Sequence, residues 1–100
     1  MKSVTVINRM MIKPGKMGEF IEAQRKYAAA LTSNGFIGGR MYRGLDGQSA
    51  VLVSTFESKR EQEQVMQRAD FKEHLEGLQH LVASSSPSIY EEAYSTGNFR

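Results

Sequence analysis

The chain has 100 residues, of which 40% are hydrophobic and 24% charged, as expected for one globular domain spanning residues 1–100. Its formal net charge of +2 comes from interspersed basic and acidic residues, which disfavours nucleic acid as a partner. The absence of cysteine excludes disulfide bonds, zinc-thiolate sites and thiol catalysis, and no stretch has the length of a membrane span or the pattern of a signal peptide. We expect a cytoplasmic protein without membrane contact.

Hydrophobic periodicity predicts a strand and then a helix in the first third of the chain. Residues 4–13 are mostly apolar or β-branched and end at a Pro-Gly turn, as in a strand. We expect both strand faces to be covered because both are partly apolar, one with Val4, Val6, Asn8, Met10 and Ile12 and the other with Thr5, Ile7, Arg9 and Met11. Residues 17–33 change to helical spacing, with Gln24 and Tyr27 on the apolar stripe and Asn34-Gly35 as the stop.

The middle of the chain predicts a β-hairpin. Residues 35–43 and 50–56 are rich in apolar and β-branched side chains and indicate strands two and three. The sequence Leu-Asp-Gly-Gln at residues 45–48 supplies the turn, because Asp and Gly tolerate positive φ angles.

Capping motifs predict where helices begin in the last third of the chain. Ser58 is followed three positions later by Glu61, which fits a capping box, and Asp70 and Glu73 repeat the pattern. These motifs predict a helix that starts after Ser58, breaks near Ala69 and resumes through about Val82. Residues 84–87 then read as a loop and residues 89–94 as the fourth strand.

The predicted order β-α-β-β-α-β is that of a ferredoxin-like α+β fold, a four-stranded antiparallel sheet with two helices on one face. The other sheet face would be bare, and a second copy of the chain is the simplest cover. Tyr and Arg are favoured interface residues, and we expect two pairs of them on this side, Arg40 with Tyr42 and Tyr90 with Tyr94.

Asn8 is the polar member of an apolar strand face, where a buried amide must find a hydrogen-bond partner. Two roles are open for it. The amide could bond to neighbouring backbone, or it could hold dioxygen or an anionic oxygen that develops on a substrate.

His74 lies at the edge of the stripe that Phe71, Leu75, Leu78 and Val82 form on the second helix, whereas His80 points the opposite way. His74 could be a packing residue or a general base that works near neutral pH. Gln24 could line the same cavity or bond to backbone. The two histidines do not form a chelating pair, so we expect no metal site.

Several segments in this order resemble the antibiotic-biosynthesis monooxygenase family over nearly the whole chain: Asn8-Arg9, Lys13-Pro14-Gly15, GFIG at residues 35–38, LVSTFESK at residues 52–59 and DFKEH at residues 70–74. The resemblance implies a homodimer whose two sheets pack as a dimeric α+β barrel, with a pocket between sheet and helices in each subunit. Members include monooxygenases of aromatic substrates that use neither metal nor flavin, quinol-modifying enzymes and small haem-degrading monooxygenases.

The resemblance favours a cofactor-independent monooxygenase that acts on an aromatic or quinol-like small molecule and dioxygen. Asn8 would contact the oxyanion or dioxygen, and His74 would transfer a proton. Met10, Phe56, Phe71 and Leu75 could be core residues, but the resemblance implies that this region also walls the pocket. Together with Gln24 they are the candidate substrate-binding residues.

Two alternatives stay open. Haem-degrading relatives carry a Trp at the end of strand three and a ligand His four residues beyond the helix Phe, where this chain has Phe56 and Leu75. His74 is displaced from that ligand position by one residue, about 100° of helix rotation, so haem is disfavoured and we expect no cofactor. The other alternative is a non-catalytic dimeric module that binds a small molecule.

Overall fold

The computed structural model describes residues 2–30 and 35–98, which form one four-stranded sheet and three helices. In chain order the elements are β1 (Val4–Ile12), α1 (Met17–Ala30), β2 (Phe36–Arg43), β3 (Ser49–Phe56), α2 (Lys59–Met66), α3 (Ala69–Leu78) and β4 (Val82–Tyr90). The predicted ferredoxin-like order is confirmed, with the second helix divided into α2 and α3. Within the described residues no helix is both long enough and apolar enough to cross a membrane.

The strand order in the sheet is β2-β3-β1-β4, and every neighbouring pair is antiparallel. β1 is an inner strand, which pairs with β3 on one side and with β4 on the other. Directly opposed residues share a sheet face, so these registers decide which side chains of the four strands lie together.

The hydrophobic core lies between one sheet face and the helices. Met10, Ile12 and Ala50 come from the sheet, and they cluster with Phe20, Leu78 and Leu81. Phe20 and Leu81 are almost completely excluded from solvent. Burial of one such side chain contributes about 1.5–3 kcal/mol, so these contacts fix the helices on the face that also carries Asn8.

The opposite sheet face, which we call the open face, has no helix of the described chain packed on it. Its register places Ile7, Val53 and Arg40 side by side, with Tyr42 opposite Val51 in the next row. These central apolar side chains are only half-buried, although they lie in the middle of the sheet.

Tyr90 lies opposite Thr5 and therefore also on the open face, together with Arg40 and Tyr42. Tyr42 is 47% exposed and Tyr90 51% exposed. The expectation that Tyr94 shares this strand face is wrong, because β4 ends at Tyr90 and Tyr94 is 82% exposed beyond it.

The bounds of β4 correct two predictions. The serine run expected as a loop belongs to the strand, and residues 91–94 do not. β4 is an edge strand whose pairing needs backbone groups rather than apolar side chains, and an edge position tolerates Pro87. Its polar composition is therefore no obstacle to strand structure.

Ser58 is confirmed as the N-cap of α2, while Glu61 bonds to the Ser58 hydroxyl in place of the backbone N–H that a capping box would use. Ser58 has extended backbone angles, its hydroxyl oxygen accepts from the backbone N–H of Glu61 at 3.5 Å, and its hydroxyl donates to the Glu61 carboxylate. The second predicted box is wrong although the break is correctly placed, because Asp70 is already inside α3 and its carboxylate pairs with Arg68 at 2.7 Å. α3 also ends at Leu78, four residues before the predicted end.

Among the glycines with positive φ, Gly47 and Gly35 flank the β2–β3 hairpin at its turn and at its start. In the β2–β3 hairpin, Asp46 Oδ1 accepts from the backbone N–H groups of Gln48 and Ser49, and Gly47 has a φ of 75°, as the turn sequence predicts. Gly35 precedes β2 with a φ of 93°, and a β-carbon there would overlap the side chain of Glu61. Asn34, the other half of the predicted helix stop, lies outside the described residues.

Replacement of Gly35 by alanine should destabilise the fold more than the same replacement at Gly47. Both changes force alanine into left-handed backbone, at about 1–2 kcal/mol, whereas only Gly35→Ala also collides with a neighbouring side chain. Thermal unfolding of both variants measures the difference, since each kcal/mol shifts the Tm of such a domain by roughly 4–8 °C. Equal Tm values for the two variants would contradict this account.

Candidate active site

Helices α1 and α3 bring four side chains into one group, which we call the histidine cluster. Gln24 and Tyr27 are three residues apart on α1, and Phe71 and His74 are three residues apart on α3. Residues at this spacing share a helix face, so each helix presents two neighbouring side chains to the other. The cluster contains three of the predicted site residues and adds Tyr27.

His74 has two specific contacts across the helix pair. Its Nε2 lies 2.7 Å from Oε1 of Gln24, within hydrogen-bond distance. Its ring stacks on that of Tyr27, with centroids 4.2 Å apart and planes inclined by 9°. The Tyr27 ring in turn lies 6.2 Å from that of Phe71, inclined by 56°. The imidazole is thus held both at one edge and on one face.

Burial sets the protonation of the cluster. It lowers the pKa of the His74 imidazole below its ordinary value, so the neutral form predominates near pH 7. Burial also raises the pKa of the Tyr27 hydroxyl, an effect that Asp70 reinforces and Arg68 opposes. The cluster therefore offers a neutral imidazole, which can accept a proton, beside a protonated phenol.

Asn8 lies on the helix side of the sheet, where it is half-buried opposite Leu52 of β3. Its Oδ1 accepts from the backbone N–H of Ser86 on β4 at 3.1 Å. This is the backbone bond that the sequence left open as one of two roles. It occupies the oxygen of the amide, while the donors of the amide are on Nδ2.

Three other predicted site residues lie in different surroundings. Met10 is part of the core cluster. Phe56 is buried and packs edge-on against Phe36, with ring centroids 5.5 Å apart. Leu75 is 47% exposed. A role for these three in substrate binding stays a prediction.

The inward stripe predicted for the second helix is wrong at two positions. Val82 belongs to β4, and Leu75 faces outward because α3 packs through Phe71, His74 and Leu78. His74 thereby takes a more inward position than expected. His80 lies beyond the end of α3, where its side chain is exposed and its Nε2 is 3.4 Å from Oε2 of Glu19.

Tyr27 is the member of the cluster that sequence reasoning treated only as part of an apolar stripe. The available signal was its position one turn after Gln24 on the same helix face. Among the residues that the structure describes, no group of three His, Asp or Glu side chains is arranged to hold a metal ion.

The lowered pKa of His74 predicts a specific dependence of stability on pH. The unfolded chain takes up a proton at about pH 6.5, whereas folded His74 does so only at a lower pH. As far as it depends on His74, the free energy of unfolding should therefore be highest above pH 6.5. It should decrease as the pH falls from 6.5 to the pKa of folded His74.

Denaturant unfolding between about pH 5 and pH 8 tests this prediction when the protein is compared with His74→Gln at equal concentration. The variant should lack this part of the pH dependence. If both proteins lose stability in parallel over that range, His74 is not responsible.

Several crystal structures share this fold. A variant of SnoaB, described as a cofactor-independent oxygenase from Streptomyces nogalater, has a TM-score of 0.85 and 20% identity over 95% of this chain and 97% of that chain. A conserved protein from Methanosarcina mazei has a TM-score of 0.81 and 20% identity, covering 92% of this chain and 94% of its own. Rv0793 from Mycobacterium tuberculosis has a TM-score of 0.82 and 14% identity, covering 96% and 100%. The TM-scores establish a common fold, and at these identities they establish nothing more.

No functionally curated protein matches the chain in sequence. The family model for antibiotic biosynthesis monooxygenases, in contrast, matches residues 3–77. The matched segment runs from the start of β1 to near the end of α3, and it includes Asn8 and the whole histidine cluster. The chain belongs to the antibiotic biosynthesis monooxygenase family.

Proposed function

We propose that this protein is a monooxygenase that oxidises an electron-rich aromatic or quinol-like small molecule with dioxygen and needs no cofactor. The observation that carries the proposal is the neutral, half-buried His74 held by Gln24 and Tyr27 in a chain of this family. The description of the similar SnoaB structure as a cofactor-independent oxygenase supports the same chemistry.

In this proposal His74 is the general base. A phenolic hydroxyl of the substrate gives its proton to the neutral imidazole, and the resulting anion is electron-rich enough to react with dioxygen directly. The lowered pKa of His74 keeps the base unprotonated at neutral pH. The rings of Tyr27 and Phe71 offer aromatic surface next to the base, which suits an aromatic substrate.

The electrons of the reaction all come from the substrate. The enol form of a ring methylene ketone has one C–H at the carbon conjugated with the hydroxyl. Once that hydroxyl is ionised, this carbon bonds to dioxygen, the enolate oxygen becomes a carbonyl oxygen, and the resulting peroxide takes up a proton. The remaining C–H proton then leaves, the O–O bond breaks, and a carbonyl and water form. Oxidation of the methylene to the carbonyl supplies the four electrons that reduce both oxygen atoms, so no separate reductant is required.

Asn8 is proposed to stabilise the negative charge that develops on oxygen. Because Oδ1 is bonded to the Ser86 backbone, the amide is held in one orientation and its Nδ2 hydrogens remain as donors. A fixed donor of this kind is worth more than a mobile one, since it needs no reorganisation when charge appears.

Haem fits the described residues poorly. Nε2 of His74 is engaged with Gln24, and the position at which haem-degrading relatives carry their ligand is Leu75, an exposed apolar side chain. We therefore assign no step of the reaction to haem.

Oxygen consumption with a panel of hydroxyanthrones and quinols tests the proposed reaction. With a compound that is turned over, His74→Ala should lower kcat by about 10²–10⁴-fold, because general-base catalysis typically contributes this much. His80→Ala is the matched control and should keep the activity of the wild type, because His80 is exposed and contacts Glu19, which is not part of the cluster.

Two substitutions at Asn8 separate its structural bond from its proposed catalytic role. Asn8→Asp keeps an oxygen acceptor for Ser86 but loses the donors, and Asn8→Ala loses both. Both variants should lose about 10²–10³-fold in kcat, the usual effect of removing one oxyanion donor. Compounds that bind without any oxygen consumption would instead support the non-catalytic binding module.

We further propose that the open face pairs with the same face of a second chain. Half-buried Ile7, Val51 and Val53 at the centre of a sheet leave apolar surface in contact with water, and Arg40 and Tyr42 beside them are residue types favoured at interfaces. Isologous pairing would cover all of these at once.

Sedimentation should give a mass of about twice the 11.2 kDa of one chain. Tyr42→Asp, which places a charge on the open face, should shift the protein towards the monomer. Leu45→Asp, at a fully exposed position of the hairpin, should leave the mass unchanged. A wild-type protein that sediments as a monomer at micromolar concentration would contradict the pairing.

A further inference from the structure

We propose that Gln24 and Tyr27 are positioning residues that hold His74 as the Nε2–H tautomer, so that Nδ1 is the nitrogen that takes up a proton. The inference rests on the proposed function only in treating His74 as the base. The tautomer itself is a property of the resting protein and can be measured without a substrate.

Gln24 determines which nitrogen carries the hydrogen. The atom of Gln24 that faces the ring is the carbonyl oxygen Oε1, which can only accept, at 2.7 Å from Nε2. A neutral imidazole has one N–H, so a hydrogen bond to Oε1 requires that N–H at Nε2. The lone pair at Nδ1 is then the one available for protonation.

Tyr27 fixes the plane of the ring. A hydrogen bond at one edge still lets an imidazole tilt about that bond, whereas a parallel ring at 4.2 Å restricts the tilt. The stack also removes one ring face from water, which agrees with burial as the cause of the lowered pKa of His74. Asp70 and Arg68 act electrostatically on the pKa of Tyr27, whereas burial is the cause of the shift at His74.

The aromatic ring of Tyr27, and not its hydroxyl, carries this role. The hydroxyl oxygen is buried and has no hydrogen-bond partner among the residues that the structure describes. Tyr27→Phe therefore keeps the stack and removes an unsatisfied polar atom. Tyr27→Leu removes the stack.

Nitrogen-15 NMR of the imidazole reports the tautomer directly, because protonated and unprotonated ring nitrogens have well-separated chemical shifts. A His80→Gln background leaves His74 as the single histidine, so its signals need no assignment. Above its pKa, His74 should show a protonated Nε2 and an unprotonated Nδ1. The opposite pattern, or an even mixture, would overturn the proposal.

Gln24→Leu removes the acceptor and should give a mixture of the two tautomers. Gln24→Glu restores an oxygen acceptor, so it should restore the Nε2–H form and also raise the pKa of His74 through its negative charge. Arg25→Leu is the matched control on the solvent side of α1 and should change neither signal. An unchanged tautomer in Gln24→Leu would show that Gln24 has no positioning role.

Tyr27→Phe should leave the tautomer and the pKa of His74 as in the wild type, whereas Tyr27→Leu should raise that pKa towards about 6.5 as water reaches the ring. If Tyr27→Leu leaves both unchanged, the stack does not position the imidazole. A raised pKa in Tyr27→Phe would place the effect in the hydroxyl and would also overturn the proposal.

The same variants keep this inference distinct from the proposed reaction. A wild-type protein with a fixed Nε2–H tautomer that oxidises no compound of the panel would refute the monooxygenase and leave the positioning role standing. Turnover that is unaffected by mixed tautomers in Gln24→Leu would refute the positioning role and leave the monooxygenase standing.

Discussion

The register of β1 against its two neighbours is the constraint on which the rest of the structure depends. Side chains alternate across a strand, so a shift by one residue would turn Asn8 and Met10 to the open face and bring Ile7 and Arg9 against the helices. The apolar core opposes such a shift, because Met10 and Ile12 are buried with Phe20 of α1. The same register lets Oδ1 of Asn8 reach the backbone of Ser86 on the edge strand.

The histidine cluster depends on that core indirectly, through the packing of α1 and α3. Phe20 on α1 and Leu78 on α3 share the buried cluster, and their packing brings the next turns of both helices together. Gln24 then meets His74 across the contact. The cluster includes a partly desolvated imidazole and a buried hydroxyl that has no partner among the described residues, and the latter costs about 1–3 kcal/mol. Proteins tolerate such costs where a site needs them.

Each face of the sheet carries a different proposed role. The helix side carries Asn8, and the core packing on this side positions the histidine cluster. The oxygenase proposal rests on Asn8 and on this cluster. The open face carries half-buried aliphatic side chains with Arg40 and Tyr42, which suit pairing with a second chain. Pairing through the open face would leave the helix side of each subunit intact. Family membership and these local features thus support one consistent proposal.

The sequence by itself determined the features that depend on neighbours along the chain. The order of elements, the hairpin turn at Asp46 and Gly47 and the cap at Ser58 follow from periodicity and hydrogen bonds that span a few residues. The spacing also placed His74 beside Phe71 on one helix, although His80 lies beyond the end of α3 and its exposure is not set by helical spacing.

Only the tertiary structure decided the features that join distant segments. His74 and Gln24 are 50 residues apart, and Ser86 is 78 residues from Asn8, so no local pattern could pair them. The serine-rich edge strand exists because β1 supplies its backbone partners, and Asp70 lost its predicted capping role to an ion pair with Arg68. Sequence spacing therefore identified the candidate residues, whereas helix packing and strand pairing selected their partners.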